Sequence, residues 1–167
     1  DSILARLPRN GGVVMVTFVP SFVSAAAHAG EDALDSAMAA LTASVPDTAE
    51  RRRLASEYRA AHPVPNATLS DVADHIEHVR QVAGVDHVGI GSDFDGIEHG
   101  PEGLEDVSRF PALFAELIRR GWSDADLKKL AGENLLRALR QAESTAKKLQ
   151  TSRPASYIKS GFSGRCP

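Results

Sequence analysis

The 167-residue sequence predicts an α/β fold with parallel strands, on three observations. Two short runs rich in β-branched residues, Val13 to Phe18 and Val88 to Asp93, are bounded by turn formers, as strands buried in a parallel sheet are. Helical periodicity fills most of the chain between and after them. Strand, helices and strand in that order make a βαβ crossover, which brings the carboxyl ends of both strands to one edge.

Asp1 to Leu7 read as the last turns of a helix whose start is expected upstream, with Ile3, Leu4 and Leu7 on one face, closed by Pro8 and the turn formers Asn10, Gly11 and Gly12. The first strand, Val13 to Phe18, follows and is expected to be buried on both faces. Residues 25–65 are alanine-rich and polar. Leu34, Ala37, Met38 and Leu41 have helical spacing, Pro46 interrupts, and Asp47 with Glu50 makes a capping box for a second helix through Leu54 and Tyr58. These are expected as two surface helices inserted between core elements, ended by Pro63 and Pro65, because proline cannot continue a helix interior.

Leu69, Val72, Ala73, Ile76, Val79 and Ala83 recur at helical spacing between the N-cap candidate Thr68 and Gly84, the pattern of a helix packed on a sheet. After the turn Val85-Asp86-His87, the second strand runs from Val88 and ends on Asp93. Pro111 stands at the start of a helix whose apolar face is Leu113, Phe114, Leu117 and Ile118, ending at Gly121. Ser123 with Asp126 opens a short helix carrying Leu127 and Leu130. After Gly132 a last helix carries Leu135, Leu136 and Leu139 to about Leu149. The body of the chain is 1–150, without internal repeats, and 151–167 mix Ser, Gly, Arg and Pro as a loosely packed tail.

Composition narrows the function classes. At 43% hydrophobic and 25% charged residues, the chain is neither collagen-like, nor a disulfide knot, nor wholly disordered. A formal charge of −3, from 19 basic and 22 acidic residues, supplies no basic face for nucleic acid. The single cysteine, Cys166, cannot form an internal disulfide. No apolar run approaches the roughly 18 residues of a membrane span, and DSILARLPRN has no signal-peptide pattern. Neither nucleic acid nor membrane is expected as a partner, and the expected location is cytoplasmic.

The sharpest local feature is Gly89-Ile90-Gly91-Ser92-Asp93-Phe94-Asp95-Gly96. Glycines in a strand forgo side-chain packing, so two of them beside a carboxylate suggest a close approach to the backbone at the strand's end. Ligands of α/β folds bind at the carboxyl ends of strands, which is where Asp93 falls. Asp93 and Asp95 also suit plain turn formation. A nucleotide site is the weaker alternative, because no lysine follows and the G-x-G-x-x-G spacing is absent. His75 and His78, three apart beside Asp74 and Glu77, could touch a metal, but no third ligand stands at recognisable spacing, and a hydrogen-bonded helix flank is the expectation. His28, His62, His87 and His99 stand singly and are expected in loops. Arg51, Arg52 and Arg53 read as the solvated side of a helix, and Trp122 as packing over a helix end. There is no G-x-S-x-G elbow and no nucleophilic cysteine context.

Five segments, in order, resemble the renal or membrane dipeptidase family, the zinc dipeptidases of the amidohydrolase superfamily. They are Asn10 to Val16, Thr68 to Ile76, Val88 to Gly96, Pro101-Glu102-Gly103-Leu104-Glu105-Asp106-Val107-Ser108, and Gly132 to Arg137. The resemblance implies the C-terminal part of a TIM (β/α)8 barrel, with strand seven at Val13 to Phe18 and strand eight ending at Asp93. It also implies a binuclear zinc (Zn) cofactor whose ligands, with the arginine that holds the substrate carboxylate, are expected upstream of Asp1. Asp93 would then shuttle a proton from the metal-bridging water to the leaving amine of a dipeptide. Phe22 sits where some members place a substrate-contacting tyrosine, so the hydroxyl is lost while the aromatic wall persists. The partners implied are a dipeptide substrate, the N-terminal remainder of the barrel and a second copy in a homodimer, with the isolated chain inactive. The alternative is a non-catalytic truncated or degenerate fragment acting as a binding module.

Overall fold

Residues 1–153 are described by a computed structural model in which helices surround a small parallel sheet. Strand β1 is Val14–Thr17 and β2 is Val88–Ser92, each a little shorter than its sequence run. They pair in parallel with Val14 opposite Val88, Met15 opposite Gly89 and Val16 opposite Ile90. The crossover expected from the strand, helix, strand order is therefore present. The expected burial of both faces of β1 is not: only Val16 is buried, and Val14, Met15 and Thr17 are half-buried. The cause is the sheet's width, because two strands leave two outer edges that no other strand covers among the described residues.

The N-terminal turns differ from expectation at Pro8. A 3-10 turn, Leu4–Arg6, runs into α1, Leu7–Asn10, with Pro8 in its first turn, where its missing N–H costs no helical hydrogen bond. The stop comes at Gly11, which takes the left-handed φ of 71°. Between the strands lie α2 (Pro20–Val23), α3 (Ala25–Ser44), α4 (Thr48–Ala61) and α5 (Leu69–Ala83). The inserted pair is α3 and α4. Asp47 caps α4 by accepting from the Glu50 N–H at 2.7 Å, while the Glu50 carboxylate turns to Arg53, so the box is half formed. His28 lies within α3 beside Asp32 rather than in a loop, and His62 ends α4 stacked on Tyr58.

Helix α5 carries the core. Its Thr68–Asp71 capping box is reciprocal, with Asp71 N–H donating to Thr68 Oγ1 at 3.2 Å and Thr68 N–H to Asp71 Oδ2 at 2.7 Å. Val72, Ala73 and Ile76 are fully buried against Phe18, Val88, Leu104, Leu113 and Leu117. At about 1.5–3 kcal/mol for each large apolar side chain buried, this face holds the helix to the sheet.

After β2, helices α6 (Phe110–Arg119), α7 (Asp124–Lys128) and α8 (Asn134–Ser152) close the chain. Ser123 Oγ accepts from the Asp126 N–H at 3.2 Å and starts α7. Helix α8 outruns the expected end at Leu149, so Thr151 and Ser152 belong to it with Arg153 as its cap, and the expected tail from residue 154 on, with Cys166, lies outside the described residues. Arg120 ties α6 to α5: Nε donates to Glu116 and Nη1 to Glu77 at 2.8 Å and to Asp74. Arg119 and Arg120 together hold the Glu116 carboxyl at about 2. Two apolar expectations fail, since Ile118 is largely exposed and so are Leu135, Leu136 and Leu139 at 48%, 46% and 52%. Nothing among the described residues lies over them.

The amino ends of the strands are pinned by polar groups. Asn134, 3% exposed, donates through Nδ2 to the carbonyls of Val85 and Val88 at 2.7 and 2.9 Å. Arg137 donates to the carbonyls of Gly11 and Asp86, and His87 Nδ1 to that of Gly12 at 2.7 Å. The segment Gly132 to Arg137 therefore acts on the fold, at the edge opposite Asp93.

Candidate active site

The carboxyl edge of the sheet is shaped by a bulge. Val16 faces Ile90 and Thr17 faces Ser92, so Gly91 has no partner. A Cβ on Gly91 would stand 3.0 Å from the Met15 carbonyl oxygen and 3.1 Å from that of Val16, so the close approach expected at this glycine is made by the neighbouring strand. At Gly89 the neighbour is the Met15 side chain. The extra residue turns the backbone: Ser92 and Asp93 have φ of 51° and 71°, a left-handed conformation that costs a non-glycine residue roughly 1–2 kcal/mol. Strain of this kind concentrates at functional sites.

Asp93 stands just past β2. Its N–H donates to Gly91 O at 2.7 Å, and its carbonyl accepts from the Gly96 N–H at 2.9 Å, closing a turn. The turn expected of Asp93 is therefore present, and it leaves the carboxylate outside the turn's hydrogen bonds. The Asp93 carboxylate is exposed, makes no ion pair among the described residues, and lies over Gly96, where a Cβ would meet Oδ1 at 2.5 Å. Fully buried Phe18 fixes the edge beneath, packing edge-on against Phe94 at 5.6 Å and Phe110 at 6.2 Å between ring centroids. Asp95 is exposed in the same turn.

The segment Pro101 to Ser108 braces this edge. Glu102 pairs with Thr68 in an isolated parallel bridge, and Asn66 Nδ2 donates to Gly100 O at 3.0 Å. Glu105 accepts from the Gly103 N–H, which holds its carboxyl below the usual range, and Asp106 is lowered by the Ser108 hydroxyl and then by the Ser108 N–H it accepts from. Their charges serve the loop's own turns. A cavity of about 550 Å3 opens beside the turn, lined by residues after β1, by α3, by Val64 to Asn66 and by Ile97 to His99. Neither the cavity nor α2 was visible in sequence periodicity, because four residues are too few for a period and the cavity joins separate segments spread from Val19 to His99. Phe22 lies on α2, on the same edge as Asp93, and is 68% exposed.

His75 and His78 stand elsewhere, on the flank of α5. His78 Nε2 pairs with Asp1 at 2.6 Å, and Asp74 and Glu77 are taken by Arg120. Burial, and then the neighbouring His78, keep His75 below its usual 6.5. Among the described residues no three His, Cys, Asp or Glu side chains converge, so these residues do not by themselves fit a zinc site, which draws three or four ligands from protein. Trp122 is buried beneath the Arg80 guanidinium, 4.4 Å from its ring centroid, a packing role as expected.

Comparison with known proteins identifies the family. The family model described as membrane dipeptidase (peptidase family M19) matches residues 1–153. The chain is 48% identical over 154 residues to the dipeptidase aclJ of Aspergillus oryzae, covering 92% of this chain and 28% of that protein. It is 40% identical over 146 residues to the dipeptidase ataJ of Aspergillus terreus, covering 87% of this chain and 27% of that one. Among solved structures, the probable dipeptidase PvdM of Pseudomonas aeruginosa matches with a TM-score of 0.62 at 30% identity, over 81% of this chain and 38% of that chain. A metallo peptidase of Rhodobacter sphaeroides, liganded with a phosphinate mimic of the dipeptide L-Ala-D-Ala, matches with a TM-score of 0.52 at 26% identity, over 79% of this chain and 28% of that chain. The chain thus spans less than a third of the length of these two curated relatives.

Proposed function

The chain belongs to the membrane dipeptidase family, peptidase family M19, and from that premise we propose that it is the C-terminal part of a (β/α)8 metallodipeptidase that hydrolyses the peptide bond of dipeptides. The short span of its relatives' length, the two uncovered sheet edges and the exposed leucines of α8 support a barrel whose other strands and helices come from the rest of a longer polypeptide. On this reading residues 1–150 form one portion of the barrel, α3 and α4 are its insertion, and the ligands of a zinc pair lie in that remainder.

The observation that carries the proposal is Asp93: an exposed carboxylate, in no ion pair among the described residues, thrust from the carboxyl end of a parallel strand by a bulge that costs backbone strain. Its role is general base and then general acid. The carboxylate takes a proton from the attacking water, holds it at Oδ, and delivers it to the amine as the peptide bond breaks. The Phe94 and Phe110 rings, 5.9 Å apart, support the backbone of the turn that carries it. Phe22 supplies an apolar wall. In the complete polypeptide, Asp93→Asn should lower kcat for dipeptide hydrolysis by at least about 10²-fold with the fold intact, the scale of general acid–base effects. Near-normal turnover in that variant would refute the assignment.

A further inference from the structure

The cavity at the carboxyl edge lies between the α3–α4 insertion and the turn that follows Asp93. Its volume of about 550 Å3 is that of a small-molecule pocket. Val19, Pro20, Leu34 and Ile97 give it apolar walls. Two exposed carboxylates, Glu31 of α3 and Glu98, also line it beside His99, no lysine or arginine does, and neither carboxylate takes part in an ion pair among the described residues. The recess begins at the end of the turn that follows Asp93. The Asp93 carboxylate rests on Gly96, and the next residue, about 3.8 Å further along the backbone, is Ile97 in the cavity wall.

Apolar walls favour a methylene chain, and two carboxylates with no lysine or arginine paired to them among the described residues favour a cation at its end. A lysine or arginine side chain meets both conditions at once. We infer that this recess receives one side chain of the dipeptide and selects a long one ending in a cation, with Glu31 and Glu98 reading the charge. The inference rests on the dipeptidase reading above and adds to it the substrate class. It also gives the insertion a purpose, since Glu31 and Leu34 belong to α3.

The test compares kcat/KM of the complete polypeptide for lysyl-alanine and alanyl-lysine with that for their norleucine counterparts, which keep the methylenes and lack the ammonium. At one of the two positions lysine should exceed norleucine by about tenfold, the scale of a hydrogen bond between charged groups. Glu31→Gln and Glu98→Gln should each lower that ratio at least about threefold and leave the norleucine value unchanged, and added salt should lower it too. A ratio near one in the unsubstituted protein, or variants that slow both substrates alike, overturns the pocket assignment and leaves the dipeptidase reading standing. If no dipeptide is hydrolysed, the dipeptidase reading fails instead. Calorimetric binding of lysyl-alanine and norleucyl-alanine to the same proteins then decides the pocket alone: a lysine preference lost in the two variants upholds it, and equal binding overturns it.

Discussion

Replacing Gly91 by alanine tests whether the bulge sets the position of Asp93. The added Cβ would stand 3.0 Å from the Met15 carbonyl oxygen and 3.1 Å from that of Val16, where ordinary contact begins at 3.4 Å. Both neighbours are backbone, so β1 and β2 must part by about 0.4 Å, at a cost of about 1–3 kcal/mol for an overpacked site. The control is Gly89→Ala, whose Cβ would meet Met15 Sδ at 2.6 Å. That contact is nominally worse, yet the sulfur ends a flexible side chain that can swing away, so the loss there should stay within about 1 kcal/mol. With catalysis falling about 10²-fold for a displacement near 1 Å, parting the strands should lower kcat roughly five- to tenfold in Gly91→Ala. Urea unfolding and dipeptide hydrolysis by the complete polypeptide read both effects. If the two variants lose stability and turnover alike, or Gly89→Ala loses more, the argument from backbone contact is wrong.

Two further outcomes follow from the described geometry. Asn134→Leu strips two buried carbonyls, those of Val85 and Val88, of their donor and should cost about 2–4 kcal/mol in urea unfolding; a loss below 1 kcal/mol would show that the amino edge is not pinned there. His75 sits below its usual 6.5 in the folded chain, so the unfolded chain takes up the proton first. Stability contributed by neutral His75 is present above about pH 6.5 and is lost as pH falls through its depressed folded value, so urea midpoints should drop on acidification. His75→Gln should flatten that part of the profile, and an unchanged slope would remove His75 as its source.

What the sequence made legible follows the range of the interactions. Helix α5 could be read almost residue by residue, because Thr68, Asp71 and the apolar repeat to Ala83 act within a few residues of one another. The parallel pairing was legible from the crossover, and Asp93 from its place at a strand end. The bulge was not, since periodicity registers a glycine and not the missing partner opposite it. Leu135, Leu136 and Leu139 announced a buried face, but what would bury them is not among the described residues. His28 was misplaced because alanine-rich, polar sequence gives a weak helical period, and α3 runs through it.

The helical insertion leaves the sheet and returns to nearly the same place. Val19 and Pro20 at its departure line the same cavity as Val64 and Pro65 at its return, and a Cβ on Gly30 of α3 would strike that returning segment. In polymer terms the strand pairing closes a loop of roughly 70 residues, and cutting α3 and α4 out would leave roughly 30, a saving of only about 0.7 kcal/mol in closure entropy. Lengthening or shortening this hairpin would therefore change the closure cost of the β1–β2 pairing very little. The fold thus separates a short, tightly paired strand edge from a long helical wall whose length the pairing scarcely feels.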